Sequence, residues 1–203
     1  MVTENKFPEK NPRGRPAKRT AEEMIAIATN IFWAQGYEGT SISDLTQKIG
    51  IERPSLYAKF GSKENLFKVC AEHYLRNKVH HIDAAMKEPF IHAALEQLFQ
   101  YEVAHTTSQK GCLMINAALS CRPEHQTVKA LLIEHRKNIE GKFRRRIQRA
   151  QLNNEVGTSE SPNTIAKYLA SIYQGLAIQA VDGASNKELQ EVVKIALKAI
   201  ALR

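Results

Sequence analysis

Arg53, Ser55, Tyr57, Lys59 and Lys63 crowd a guanidinium, a hydroxyl, a phenol and two ammonium groups into one short stretch. All five can donate hydrogen bonds. Upstream, Arg13-Gly14-Arg15-Pro16 sets two more guanidinium groups on a segment too polar and too interrupted to fold. The chemistry on offer is binding of negative charge rather than bond breaking. There is no Walker A loop, no Gly-x-Gly-x-x-Gly after a strand and no His-Glu-x-x-His. Glu102-x-x-His105 occurs once, whereas a carboxylate-bridged di-iron bundle uses two such motifs and further glutamates. No enzyme is expected.

Cys112, Met114 and Cys121 could offer the soft sulfur ligands that Cu(I) prefers, and His73 and His80 share a helical face with His81 beside it. These residues fall on different predicted helices, and a cysteine commonly serves as a small buried apolar residue. The reading therefore assigns no metal site and no cofactor, with a copper-responsive protein as the alternative. The formal net charge of +8 points to an anionic partner. Three scattered cysteines argue for reduced thiols and against a disulfide framework. Charges at Glu4, Lys6, Glu9 and Lys10 interrupt any signal-peptide pattern, and no apolar run reaches bilayer-spanning length. A soluble cytoplasmic protein with no membrane partner is expected.

The elements that must position these groups are all helical. Residues 1–19 hold six Lys/Arg and two Asp/Glu, with prolines at 8, 12 and 16, and read as a flexible basic arm. Thr20-x-x-Glu23 is a capping box that opens a first helix, striped by Met24, Ile27, Ala28, Ile31 and Phe32 and ended by Gly36. Ser41-x-x-Asp44 opens a second, with Leu45 and Ile49 on its inner face and Gly50 at its end. A third spans Arg53 to Phe60, with Pro54 in its first turn and Leu56 facing inward. Gly61 stops it, and Ser62 caps a longer helix to around His80. Two short helices joined by a Gly-containing turn form a helix-turn-helix. Further helices are predicted over 89–106, 111–121, 124–152, 163–182 and 186–202, the last behind a Ser185-x-x-Glu188 capping box. The expected fold is all-α, about nine helices.

From Ile165 to Val181 the single charged residue is Lys167, and the final helix is apolar over a wide arc. Helices apolar on nearly all sides must be buried on nearly all sides. A two-fold dimer through this pair satisfies them, and Ile165, Leu169, Ile172, Leu176, Val192, Ile195 and Ala199 are the expected interface.

The N-terminal third resembles the TetR family of bacterial transcriptional regulators. The resemblance runs through Gly14-Arg15-Pro16, Ala28, Phe32, Gly36-Tyr37-x-x-Thr40-Ser41 and Ile51-x-x-x-Ser55-Leu56-Tyr57-x-x-Phe60-x-Ser62-Lys63-Glu64-x-Leu66. Thr46 stands where helix-turn-helix proteins often carry a small alanine. Gly111-Cys112, Gln174-Gly175 and Gly183-Ala184-Ser185 resemble the ComR-like branch of that family, which includes copper-responsive members. The resemblance implies a DNA-binding domain over 20–66, a ligand-binding and dimerisation domain over 67–203, and repression relieved by a small molecule.

In a helix-turn-helix the second helix enters the major groove, and its first residues reach base edges. That nominates Arg53, Pro54, Ser55 and Lys59, with Arg53 bidentate on guanine or held to phosphate. Thr40, Tyr57 and Lys63 lie where the family holds phosphates, and Ser41 completes the expected DNA-contacting set with Arg13 and Arg15. The last two suit a narrow minor groove. For an unknown small-molecule effector, Tyr101, His105, Asn116 and Gln174 are the candidate polar contacts. A DNA-binding scaffold without an effector is the other reading, although it would not need so large a helical core.

Overall fold

The computed structural model describes residues 19–106 and 111–200, and among them all regular structure is helical. The helices are α1 (Ala21–Gly39), α2 (Ile42–Ile49), α3 (Arg53–Phe60), α4 (Lys63–Ala85), α5 (Ile91–Thr106), α6 (Leu113–Ser120), α7 (Gln126–Leu152), α8 (Pro162–Val181) and α9 (Asn186–Ala199). Local chemistry sets the starts. Thr20 with Glu23, Ser41 with Asp44 and Ser185 with Glu188 each form the reciprocal side-chain and backbone bonds of a capping box. Ser62 and Ser161 cap α4 and α8 through the amides of Asn65 and Thr164.

Two glycines carry conformations that a side chain would resist. Gly50 ends α2 at φ 77° and ψ 38°, its N–H donating to the Thr46 carbonyl at 2.8 Å. Gly36 sits at φ 70° and ψ 174° inside α1, so the regular helix breaks there and Tyr37 turns inward to meet Phe32 and Phe67. The expected break at Gly36 is thus present, though a short helical segment follows it to Gly39.

Phe32, Leu45, Ile49, Leu56, Leu66 and Phe67 form the buried centre of the N-terminal head. The same apolar cluster continues into Leu113 and Ala117 of α6 and Val128 and Leu132 of α7. A second cluster fills the space among α5, α7, α8 and α9 around Phe99, Phe143, Leu169 and Tyr173. Helix α4 serves both, running unbroken from the head into the second cluster, where Ile82 and Ala85 are buried. Trp33 of α1 donates from Nε1 to the Gly111 carbonyl at 3.1 Å, fastening the head to the strand of chain before α6.

Leu169 and Leu176 depart from expectation. They are 0% and 2% exposed inside the protomer's own second cluster, so neither is offered to a second copy. Ile165 and Ile172 are half-buried at the margin of that cluster, while Val192, Ile195 and Ala199 face outward on α9. No described helix is long and apolar enough to cross a membrane.

Candidate nucleic-acid interface

Helix α3 stands on one buried side chain, Leu56, and exposes most of the rest. Arg53, Pro54, Ser55, Tyr57 and Lys59 all lie in solvent, with Tyr57 43% exposed. Leu45 and Ile49 of α2 lock the turn from below, both essentially inaccessible. The result is a short rigid helix whose first turn presents a guanidinium and a hydroxyl, and whose last turn presents an ammonium. The fixed backbone gives these side chains defined points of departure, which favours recognition of a fixed array of acceptors.

The flanking residues divide. Ser41 is exposed, but its hydroxyl donates to Asp44 Oδ2 at 2.6 Å and accepts the Asp44 amide at 3.0 Å, so its first duty is the cap. Thr40 is 1% exposed and its hydroxyl donates to the Gly36 carbonyl at 2.7 Å, so that hydroxyl is already engaged within the head. Lys63 sits half-buried with Nζ 4.4 Å from the Tyr37 ring centroid, a cation–π contact that pre-positions the ammonium. Burial pushes the Lys63 pKa down, against the pull of Glu38. It also pushes Tyr37, flanked by Glu64 and Glu38, up to about 12.

Arg13 and Arg15 lie outside the described residues. Arg19, read from sequence as the end of a flexible arm, is ordered. Its Nη1 donates to the Lys48 carbonyl at 2.7 Å and also contacts the Ile49 carbonyl, so it caps the C-terminus of α2. A cation at a helix C-terminus satisfies carbonyls that have no intrahelical partner and opposes the helix dipole. The bond spans 29 residues of sequence, and no local pattern marks it.

The residues expected to meet an effector are only partly brought together. Tyr101 and His105 stack on each other at 5.5 Å, and Tyr101 also stacks on His81 at 4.2 Å. His105 reaches the Trp33 ring at 5.8 Å, and Asn116 donates to the Trp33 carbonyl at 3.4 Å. Gln174 is half-buried on α8, and no described contact joins it to the other three.

Sequence reasoning missed the most buried polar group nearby. Lys78 of α4 and Glu102 of α5 form an ion pair at 2.9 Å with side chains 1% and 0% exposed. Cys112 Sγ lies 3.6 Å from the same ammonium, and the rings of Tyr173 and Tyr74 lie 5.3 and 5.9 Å from it. Burial alone would lower the Lys78 pKa, but the negative forms of Cys112 and Glu102 outweigh it and hold the ammonium above the usual lysine range. Cys112 thus faces a cation, and Cys121 packs near the carbonyls of Arg122 and His125. Among the described residues no three His, Cys, Asp or Glu side chains converge on a point that could hold a metal ion.

Comparison with known proteins agrees with this geometry. Residues 25–70 match the family of bacterial regulatory proteins of the TetR type. The chain is 28% identical to the HTH-type transcriptional repressor ComR of Escherichia coli K12, over 98% of this chain and 97% of that one. It is 29% identical to the uncharacterised HTH-type regulator YezE of Bacillus subtilis, over 92% and 99%. Among solved structures, a cysteine mutant of the TetR family regulator CifR, complexed with 26-base-pair operator DNA, superposes with a TM-score of 0.84. It shares 33% identity, covering 93% of this chain and 100% of that one. A helix-turn-helix head on a wholly helical core, matched along nearly its full length, places this chain in the TetR family of bacterial transcriptional regulators, a family of DNA-binding proteins rather than enzymes.

Proposed function

We propose that the protein is a transcriptional repressor that grips a palindromic operator as a homodimer and is released by a small-molecule effector. The observation that carries this reading is the exposed row Arg53, Ser55 and Lys59 on a helix pinned by buried Leu56. CifR, whose cysteine mutant is solved in complex with operator DNA, supports it, as does the repressor name of ComR. Residues 20–66 act as the head and 67–203 as the ligand-binding and dimerisation core, with α4 shared between them. Arg53, Pro54, Ser55 and Lys59 read the major groove, while Tyr57, Lys63 and the exposed backbone around Ser41 meet phosphates. Tyr101, His105, Asn116 and Gln174 remain the proposed polar contacts of an organic effector in the core.

The test is selection of bound fragments from genomic DNA with the purified chain, followed by anisotropy titration of the enriched site. Arg53→Ala should weaken operator binding by about 1–3 kcal/mol and relax preference at one base pair in each half-site. A uniform loss across all sequences would reassign Arg53 to a phosphate. Deleting residues 1–16 should reduce the slope of log K against log salt by about 2 for each arm engaged, leaving the dimer intact. An unchanged slope would remove Arg13 and Arg15 from the interface.

A further inference from the structure

The basic run from Lys142 to Arg149 takes no part in the DNA-binding surface, yet it walls a cavity of about 340 Å³ beside the end of α4. Asp83 and Met86 form one side, and Lys142, Arg145, Arg146 and Arg149 of α7 form the other. Four cations therefore share the cavity wall with one carboxylate, and that carboxylate pairs with Lys142. Among the described residues the other counter-charge on the guanidiniums is Glu155, 3.5 Å from Arg146 Nη2, which also accepts the Ile91 amide.

Arg146 is the informative residue. It is 3% exposed, and its Nε and Nη1 have no hydrogen-bond partner among the described residues. Buried donors without acceptors cost free energy, and a charged group costs more than a neutral one. Burial and then Arg149 lower the Arg146 pKa, and Glu155 offsets them only in part. Glu155 is the counter-ion of Arg146, and the cavity beside it still presents more cations than its one lining carboxylate, Asp83, can balance.

We propose that this cavity binds a small oxyanion carrying two or more negative charges, a phosphate ester or a polycarboxylate, and that binding loosens the hold of α7 on α4. The fork of a guanidinium matches the paired oxygens of either group. The volume lies within the range of small-molecule sites. The operator is not the occupant, because the 23 residues of α4 separate this end from the head by about 35 Å.

The second half of the proposal follows from what the same guanidiniums already hold. Arg149 Nη2 donates to the carbonyls of Met86 at 3.2 Å and Glu88 at 2.6 Å. Arg146 Nη2 donates to those of Glu88 at 3.3 Å and Pro89 at 3.1 Å. These carbonyls close the C-terminal end of the helix whose other end carries the head. An anion competing for the forks biases α4, so anion and operator affinities are linked reciprocally. This half rests on the proposed repressor function; the binding site itself does not.

The full-length chain is melted with inorganic phosphate, and separately with citrate, against chloride at matched ionic strength. A saturable rise in Tm of about 5–10 °C is expected at a hundredfold excess over the dissociation constant. Whichever probe saturates at the lower concentration identifies the ligand class. Arg145→Glu, an exposed wall residue, should melt like the parent in chloride and lose at least tenfold in probe affinity. No saturable rise with either probe, or an equal rise in Arg145→Glu, overturns the site. Saturating probe should also weaken operator binding in the parent and not in Arg145→Glu; anion binding without that effect overturns the coupling. A chain that binds the anion but no DNA under any condition would sink the repressor reading while leaving the site standing.

Discussion

Glu102→Ala should cost about 3–5 kcal/mol of stability, the largest loss expected from any single polar substitution in this chain. The partner left behind, Lys78, is 1% exposed, so bulk water does not replace the lost carboxylate. An unpaired ammonium in that setting must either deprotonate or draw the core open, and both outcomes destabilise the fold. Domains of this kind hold only about 5–15 kcal/mol in total, so the loss should appear as a fall in Tm on the order of 10 °C. The companion double variant, Lys78→Met with Glu102→Leu, should recover most of that loss, because replacing both charges with apolar groups removes two desolvation penalties together. Denaturant melts of Lys78→Met, Glu102→Leu and the double variant give the coupling directly. A loss under 1 kcal/mol in Glu102→Ala would mean that the pair is hydrated in solution.

The location of the pair gives this experiment a meaning beyond stability. Lys78 stands on α4, Glu102 on α5 and Cys112 at the start of α6, so one ammonium ties together three helices that also support the head. The double variant separates folding from signalling: it should be stable, yet α4 would have lost its fixed register against α5. Operator affinity measured in that background tells whether the register matters to the head.

What the sequence discloses about this molecule follows the range of each interaction. Capping boxes at Thr20, Ser41 and Ser185, the serine cap at Ser62 and the glycine stop at Gly50 are written within four or five residues, and each occurs where its pattern puts it. The head is legible for the same reason, its anchors Leu45, Ile49 and Leu56 spaced by two helices and a turn. Interactions that span dozens of residues leave no such trace. Arg19 reads as one more cation in a basic tail, and Glu102 as half of a Glu-x-x-His motif, although its partner lies 24 residues upstream.

Helix α8 shows a different limit. With Lys167 its only charge, it has no polar face to tell the protomer's core from a partner's surface. Counting apolar residues on its wheel therefore joined Leu169 and Leu176, which face inward with Tyr173 and Ala177, to Ile165 and Ile172 at the margin. Packing against α5 and α7 decides the direction, and that is a tertiary fact. On helix α9, lysines and glutamates interrupt the apolar arc, so the sequence itself marks a polar side.

The outward residues of that pair support the second large prediction: Ile195→Asp should convert the proposed dimer to a monomer and abolish operator binding at physiological salt. Ile195 is 68% exposed and Val192 42% exposed on α9, with Tyr168 at 37% on the neighbouring α8. A groove of about 380 Å³ between Ile165, Tyr168, Ala199 and Ile200 continues the same surface. An aspartate at an exposed site changes the protomer's stability by about 0.5 kcal/mol or less. Across a two-fold interface it would appear twice, and each copy would lose its water without gaining a partner. Binding two half-sites through one rigid molecule contributes about 10²–10⁴ in affinity, and a monomer forfeits it. Sedimentation and anisotropy on one preparation read both effects. Leu169→Asp is the contrasting control, since a charge there enters the protomer's own core and should unfold it rather than split a dimer. If Ile195→Asp stays dimeric at micromolar concentration, the pairing surface lies elsewhere on the molecule, and the spacing between the two α3 helices must be set by another face.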